Sequence, residues 1–187
     1  MTQNVTPSAL ELETIRQIVR DEIQLAMKKD PAARKACFIA SKGTLDWAYP
    51  PLILATAAAA AGVESAIFFT FYGLNIIRKD FDARLRVSPV ANPAMPMPVH
   101  MPDILTALPG MTSFATHMMK SMFRKKGVAS IRELLDVARE SGVRLIACQM
   151  TMDVFGYRQA EFIDGVEFGG AAAFLSEARK AHITLFI

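Results

Sequence analysis

Lys35-Ala36-Cys37-Phe38-Ile39-Ala40, an Ala-rich stretch, and then Ser65-Ala66-Ile67-Phe68-Phe69-Thr70-Phe71 together decide the fold. Both flanking runs are short and apolar, as fully buried strands are. Between them, Ser41-Lys42-Gly43-Thr44-Leu45-Asp46 reads as the loop beyond the first strand, and a long helix follows to about Ala61. A strand, a helix and a second strand in this order imply a parallel α/β sheet with right-handed crossovers.

The rest of the chain extends the alternation. Tyr72-Gly73-Leu74 begins the loop beyond strand two. Met111 to Lys125 reads as a helix carrying His117, Met118, Met119 and Met122. A second helix runs from the N-cap Ser130 to Glu140 and stops at Ser141-Gly142. Val143-Arg144-Leu145-Ile146-Ala147 is a third strand, ending at Cys148, and a short helix is expected from about Thr151 to Tyr157. Phe162-Ile163-Asp164-Gly165-Val166 fits either a short strand or a turn. Gly169-Gly170 opens a last helix to about Lys180, and Ile183-Thr184-Leu185-Phe186-Ile187 is a terminal strand. A chain that ends on a strand implies a tail held inside the sheet. The fold class is α/β, an open and mostly parallel sheet flanked by helices.

Two segments stand outside this pattern. Leu12, Ile15, Val19, Ile23 and Met27 recur at helical spacing, so about Ala9 to Lys28 reads as an extra amino-terminal amphipathic helix. Ser8 and Glu11 make a capping-box pattern, and Asp30-Pro31 ends the helix. Residues 1–31 are therefore set apart from an α/β domain at 32–187. That domain carries a Pro/Met-rich insertion at about 88–111, with six prolines that rule out a regular helix or central strand. The insertion suits a lid over a cleft or a docking surface for a partner.

Composition narrows the function. The chain has 187 residues, is 52% hydrophobic and has a net charge of +3. That is ample for one large core, and the scattered Lys and Arg leave no nucleic-acid footprint. The densest basic group, Arg124-Lys125-Lys126, reads as a cap on a helix carboxyl end. Two cysteines, Cys37 and Cys148, make neither a C-x-x-C pair nor a zinc site, and they suit a reducing cytoplasm. No secretory signal is read, because Glu11, Glu13, Asp21 and Glu22 interrupt the early apolar residues. The apolar stretch at 48–74 raises the question of membrane contact. It is short, Ala-rich and closed by Gly62, which favours a core helix and a buried strand.

Cys148 is the leading candidate for chemistry. In an open parallel sheet, ligands gather beyond the carboxyl ends of the strands. A thiol there meets solvent and the amino end of the next helix, and both favour a reactive thiolate. The plain alternative is a small buried hydrophobe. Lys42 on the neighbouring loop is a source of positive charge. Gly43, Thr44, Tyr72 and Gly73 are candidates to line the cleft. Asp46 and Asp153 are read as capping or loop-bracing carboxylates. Cys37, inside strand one, is read as packing. Met95, Met97, His100 and Met101 form a rival constellation with soft-ligand character suited to Cu(I), or an adaptable interface filler.

Three stretches together resemble the DsrE/DsrF-like sulfur-relay family, in its longer branch often labelled peroxiredoxin-like. They are Phe38-Ile39-Ala40-Ser41-Lys42-Gly43-Thr44-Leu45-Asp46, Phe69-Thr70-Phe71-Tyr72-Gly73-Leu74, and Ala147-Cys148-Gln149-Met150-Thr151-Met152-Asp153-Val154-Phe155-Gly156. The resemblance runs from about Ala36 to Ile187, and Ala-Cys-x-Met-x-Met-Asp is its specific part. It implies a five-stranded parallel sheet, a homo-oligomer and a persulfide-bearing cysteine at Cys148, with Met150 and Asp153 beside it. It also implies rhodanese-like or TusA-like sulfur-transfer partners, and no cofactor or metal. The expected function is a sulfur carrier or sulfurtransferase. The alternatives are a protein-binding or membrane-associated module built on the Met/Pro-rich segment, and a thiol-dependent reductase or peroxidase. No second Cys stands near Cys148 to resolve a disulfide, and the Thr-x-x-Cys spacing of true peroxiredoxins is missing.

Overall fold

In the computed structural model, β1 (Lys35–Ala40), α1 (Leu45–Ala60) and β2 (Glu64–Phe69) form the expected strand-helix-strand unit. A 3₁₀ segment (Phe71–Ile77) and a single turn, α2 (Phe81–Arg84), follow β2. Then come α3 (Met111–Lys125), α4 (Ile131–Glu140), β3 (Arg144–Cys148), α5 (Gln149–Phe155), β4 (Val166–Gly169), α6 (Ala171–Ala178) and β5 (Ile183–Phe186). The structure describes residues 34–88 and 110–187, with the single residue Gln17. The chain divides into Met1–Arg34 and Lys35–Ile187, and the second unit holds the sheet. The amphipathic helix read at 9–28 lies outside the described residues, as does most of the Pro/Met-rich insertion, including Met95, Met97, His100 and Met101.

The sheet has five strands in the order β4-β3-β2-β1-β5, and every pairing is parallel. Side chains alternate across it with period two, so each strand feeds two cores. On one face Phe38, Ala40, Ile67, Phe69, Leu145 and Ala147 pack against α1 and α4. On the other, Cys37, Ala66, Phe68, Ile146 and Cys148 meet Phe174 of α6. The Phe68 and Phe174 rings stack with centroids 4.8 Å apart. Burial on both faces is why β1 to β3 read as unbroken apolar runs.

Several boundaries differ from the sequence reading, and strand two stops at Phe69, with Phe71 already in the 3₁₀ segment. The helix after Cys148 begins at Gln149 rather than Thr151 and ends at Gly156, whose φ of 67° suits a residue without Cβ. The stretch 162–166 resolves into an antiparallel bridge from Phe162 to Arg78 and then β4, which starts only at Val166. The tail is not held inside the sheet. β5 is an edge strand, bonded to β1 alone, and every residue in it is exposed.

Caps and charges set the remaining geometry. Ser130 closes a capping box on α4: its hydroxyl oxygen accepts from the Glu133 amide, and Glu133 accepts from the Ser130 amide at 2.7 Å. Arg124 and Lys125 lie in the last turn of α3, where cations complement the helix dipole. At the beginnings of the strands a charge cluster joins four of them. Lys35 of β1 pairs with Glu64 of β2 at 2.7 Å and with Glu177 of α6. Arg144 of β3 grips Glu167 of β4 with two nitrogens, at 2.9 and 2.7 Å, and reaches Glu177 at 3.3 Å. Among the described residues no helix is long and apolar enough to cross a membrane.

Candidate functional site

The site is built where β1, β2 and β3 end together. Two glycines set how closely their loops approach. A Cβ on Gly43 would stand 2.1 Å from the Tyr72 carbonyl oxygen, and one on Gly73 would stand 2.1 Å from that of Ala40. Neither glycine has a left-handed backbone, so what each position needs is space. The Thr70 amide donates to the Ala40 carbonyl at 3.0 Å, and the Gly73 amide donates to that of Ser41 at 3.1 Å. These contacts bring the chain just after β2 toward the start of α5.

Cys148 is the last residue of β3 and the N-cap of α5. An N-cap side chain faces the amides of the second and third helical residues, here Met150 and Thr151. The sulfur makes no regular capping hydrogen bond, yet both amides favour its anion. Two hydroxyls complete the cradle. Thr70 Oγ1 and Thr151 Oγ1 lie 3.2 Å apart, and the Phe71 amide donates to Thr151 Oγ1 at 3.3 Å. That amide is aimed by a left-handed Phe71 with φ of 47°, rare for a bulky residue and the one positive-φ non-glycine among the described residues. Since Thr151 Oγ1 already accepts from Phe71, its hydrogen is free to turn toward the sulfur or Thr70.

The expectation that Cys148 meets solvent does not hold. Its residue is 3% exposed, covered on its own face of the sheet by Phe68, Ile146 and Phe174. Burial pushes the thiol up. The Thr151 hydroxyl and amide, the Thr70 hydroxyl and the Met150 amide together outweigh it, and the net direction is down. Cys37 provides the contrast on the same face. It is fully buried, burial dominates, and its thiol is pushed up despite Lys35 nearby. One thiol has hydroxyls and helix amides around it, and the other lies among hydrocarbon.

The remaining candidates from the sequence divide. Met150 contributes its amide to the cradle while its side chain is 58% exposed. Gly43, Gly73 and the Tyr72 backbone form the loop crossing, and the Tyr72 ring stacks on Phe155 at 5.8 Å. Lys42 turns to Trp47 instead: its ammonium lies 3.3 Å from the centre of that ring, and it is not among the main groups that lower the thiol. Asp153 accepts from Gln149 at 2.8 Å across one helical turn. Asp46 does not cap α1. Thr44 holds the N-cap position without a side-chain cap bond, and Asp46 lies in the first turn. Thr44 Oγ1 and Asp46 Oδ1 are both buried without a hydrogen-bond partner among the described residues. Among those residues no group of three or more His, Cys, Asp or Glu side chains converges to hold a metal.

Sequence reasoning missed Thr70, Phe71 and Thr151. One signal was available: Thr151 stands three residues after Cys148, the spacing of an N-cap and its third helical residue. Phe71, Tyr72, Met150 and Val154, apolar and exposed, lie in the 3₁₀ segment after β2 and on α5, the elements next to the cradle in the chain.

Residues 32–186 match the model of the DsrE/DsrF/DrsH-like family. The chain is 52% identical over 158 residues to the sulfur carrier protein DsrE2 of Allochromatium vinosum, covering 82% of this chain and 98% of that protein. It is 30% identical over 160 residues to the uncharacterized protein YrkE of Bacillus subtilis, covering 82% and 97%. The crystal structure of the ychN protein from E. coli superposes with a TM-score of 0.48 at 14% identity, covering 82% of this chain and 99% of that one.

Proposed function

From the premise that this chain belongs to the DsrE/DsrF/DrsH-like family, we propose that it is a sulfur carrier that holds sulfane sulfur as a persulfide on Cys148. The observation that carries this reading is a thiol held down although its residue is 3% exposed. The likeness to a protein named a sulfur carrier supports it.

The chemistry is a pair of thiol exchanges. The Cys148 thiolate attacks the outer sulfur of a donor persulfide, the donor S–S bond breaks, and the donor leaves as a thiolate. Cys148 then carries one extra sulfur through a new S–S bond. In the second exchange an acceptor thiolate attacks that outer sulfur, and Cys148 leaves as a thiolate. Thr70, Thr151 and the two amides stabilise the same anion as nucleophile and as leaving group. The outer sulfur extends about 2 Å beyond Sγ, which shortens the approach a partner must make to a buried cysteine.

Rhodanese-like and TusA-like proteins are the proposed donor and acceptor, in the reducing cytoplasm. The apolar rim of Phe71, Tyr72, Met150 and Val154 suits such a protein surface. A homo-oligomer is proposed too, supported by the exposed apolar residues Ile183, Leu185 and Phe186 on the edge strand.

The test is intact mass after incubation with polysulfide, or with thiosulfate and a rhodanese. A gain of about 32 Da, reversed by a reducing thiol and mapped to Cys148, is expected. Cys148→Ser abolishes the gain, and Cys37→Ser keeps it. The reverse pattern moves the site to Cys37. No adduct on a folded parent protein overturns the carrier reading, and peroxide turnover with a recycling thiol would replace it with a reductase.

A further inference from the structure

A cavity of about 420 Å³ lies between the first turn of α1, α2, the last turn of α3 and the start of α4. It shares no lining residue with the Cys148 cradle. Its size falls within the ~300–1,000 Å³ typical of small-molecule sites. Leu45, Phe81, Leu85 and Ile131 give it an apolar floor, and Tyr49 and Phe123 meet edge to face there at 4.8 Å.

The charged groups around the mouth are not equivalent. Asp82 is held by Arg132 at 2.6 Å, with Lys120 at 4.0 Å. Glu133 is held in the Ser130 capping box, accepting from both the amide and the hydroxyl of Ser130. Both carboxylates are therefore engaged. Arg124 follows Lys120 by four residues, on the same face of α3. Among the described residues it pairs with no carboxylate. Burial, with Glu133 nearby, pushes the Tyr49 phenol up.

We propose that this cavity binds a small monocarboxylate with an apolar body, the body on the floor between Leu45, Leu85 and Ile131 and the carboxylate against Arg124 and Lys120. The charge pattern sets the choice of head group. A carboxylate gains a guanidinium that pairs with no carboxylate among the described residues, with the fork geometry that suits it. An amine would meet two cations and find both acids taken. An uncharged head would leave the guanidinium to water.

Three probes share one apolar body: phenylbutyrate, phenylbutanol and phenylbutylamine. Each is titrated into the full-length protein, with methyl NMR signals of Leu45, Leu85 and Ile131 as local reporters. Phenylbutyrate should shift those signals and bind about tenfold or more tightly than either analogue, the value of one charge-assisted hydrogen bond. Arg124→Gln, at an exposed position, should fold normally and remove that preference while leaving persulfide loading unchanged. Silent reporters with all three probes overturn the proposal. So does equal affinity for the three, or an Arg124→Gln protein that binds phenylbutyrate as the parent does.

Discussion

Gly73→Ala tests whether the loop crossing holds the site. The added Cβ would stand 2.1 Å from the Ala40 oxygen and 2.7 Å from its carbon, whereas real Cβ contacts essentially never fall under 3.0 Å. Both obstacles are backbone, so no side chain can rotate away, and the two strand ends must part by about 1 Å. Parting them stretches the Thr70-to-Ala40 and Gly73-to-Ser41 bonds, now 3.0 and 3.1 Å, beyond useful length. Two lost hydrogen bonds cost about 0.5–1.5 kcal/mol each. Overpacking adds about 1–3 kcal/mol. The lower entropy of an unfolded Ala chain returns about 0.4–1 kcal/mol. The net loss is about 3 kcal/mol within a range of about 1–6, and the central figure corresponds to roughly 6–12 °C in melting temperature for a chain of this size. Urea unfolding followed by circular dichroism measures it. Gly170→Ala is the control: nothing lies within 4 Å of its Cβ position and its φ is −89°, so its stability should change by no more than about 1 kcal/mol. Gly73→Ala within about 0.5 kcal/mol of the parent would refute the reasoning, because the crossing could then open at no cost. Since Thr70 moves with the crossing, the folded fraction of the variant should also react more slowly at Cys148 with iodoacetamide at neutral pH.

Thr151→Val removes one hydroxyl from the thiolate and leaves the helix amides in place, so it should raise the Cys148 thiol. Less thiolate is then present at pH 7. Alkylation there should slow by about tenfold, and the midpoint of the rate–pH curve should move upward; an unmoved midpoint would assign the lowered thiol to the helix amides and the Thr70 hydroxyl without Thr151 Oγ1. Glu177 is held low by Lys35 first, with Arg144 contributing. A carboxylate lowered on folding adds stability above its unfolded pKa of about 4.3, and this is lost as pH falls through the folded value. Glu177→Gln should therefore destabilise the protein at pH 7 and flatten the acid side of its melting-temperature profile. A parallel, merely displaced profile would mean that the carboxylate's charge is not what matters.

Much of the frame was legible because it follows from periodicity. The runs at 36–40 and 65–69 are mainly apolar on both faces, and the Ala-rich helix between them leaves little choice but a parallel pair. Ser130 and Gly142 marked the ends of α4 because capping is a local matter. What escaped was non-local or chemically quiet. Thr70 and Thr151 meet across 81 positions of sequence, and nothing in either neighbourhood announces the other. The start of α5 was read late because Cys148 is an unusual N-cap. β4 was hidden by its length of four residues. The tail misled for a physical reason: Ile183–Phe186 is as apolar as a central strand, but apolarity says nothing about how many neighbours a strand will find. Lys42 was assigned by proximity in the loop, and the electron-rich face of Trp47 took its charge instead.

The charge cluster of Lys35, Glu64, Arg144, Glu167 and Glu177 clasps the sheet at the end away from Cys148. The alignment of β1 to β4 is thus secured at one pole while Cys148 sits at the other. Loop residues at the Cys148 pole can be exchanged without touching the charges that align β1 to β4. The surface around Cys148 can therefore change while the register of those four strands stays fixed.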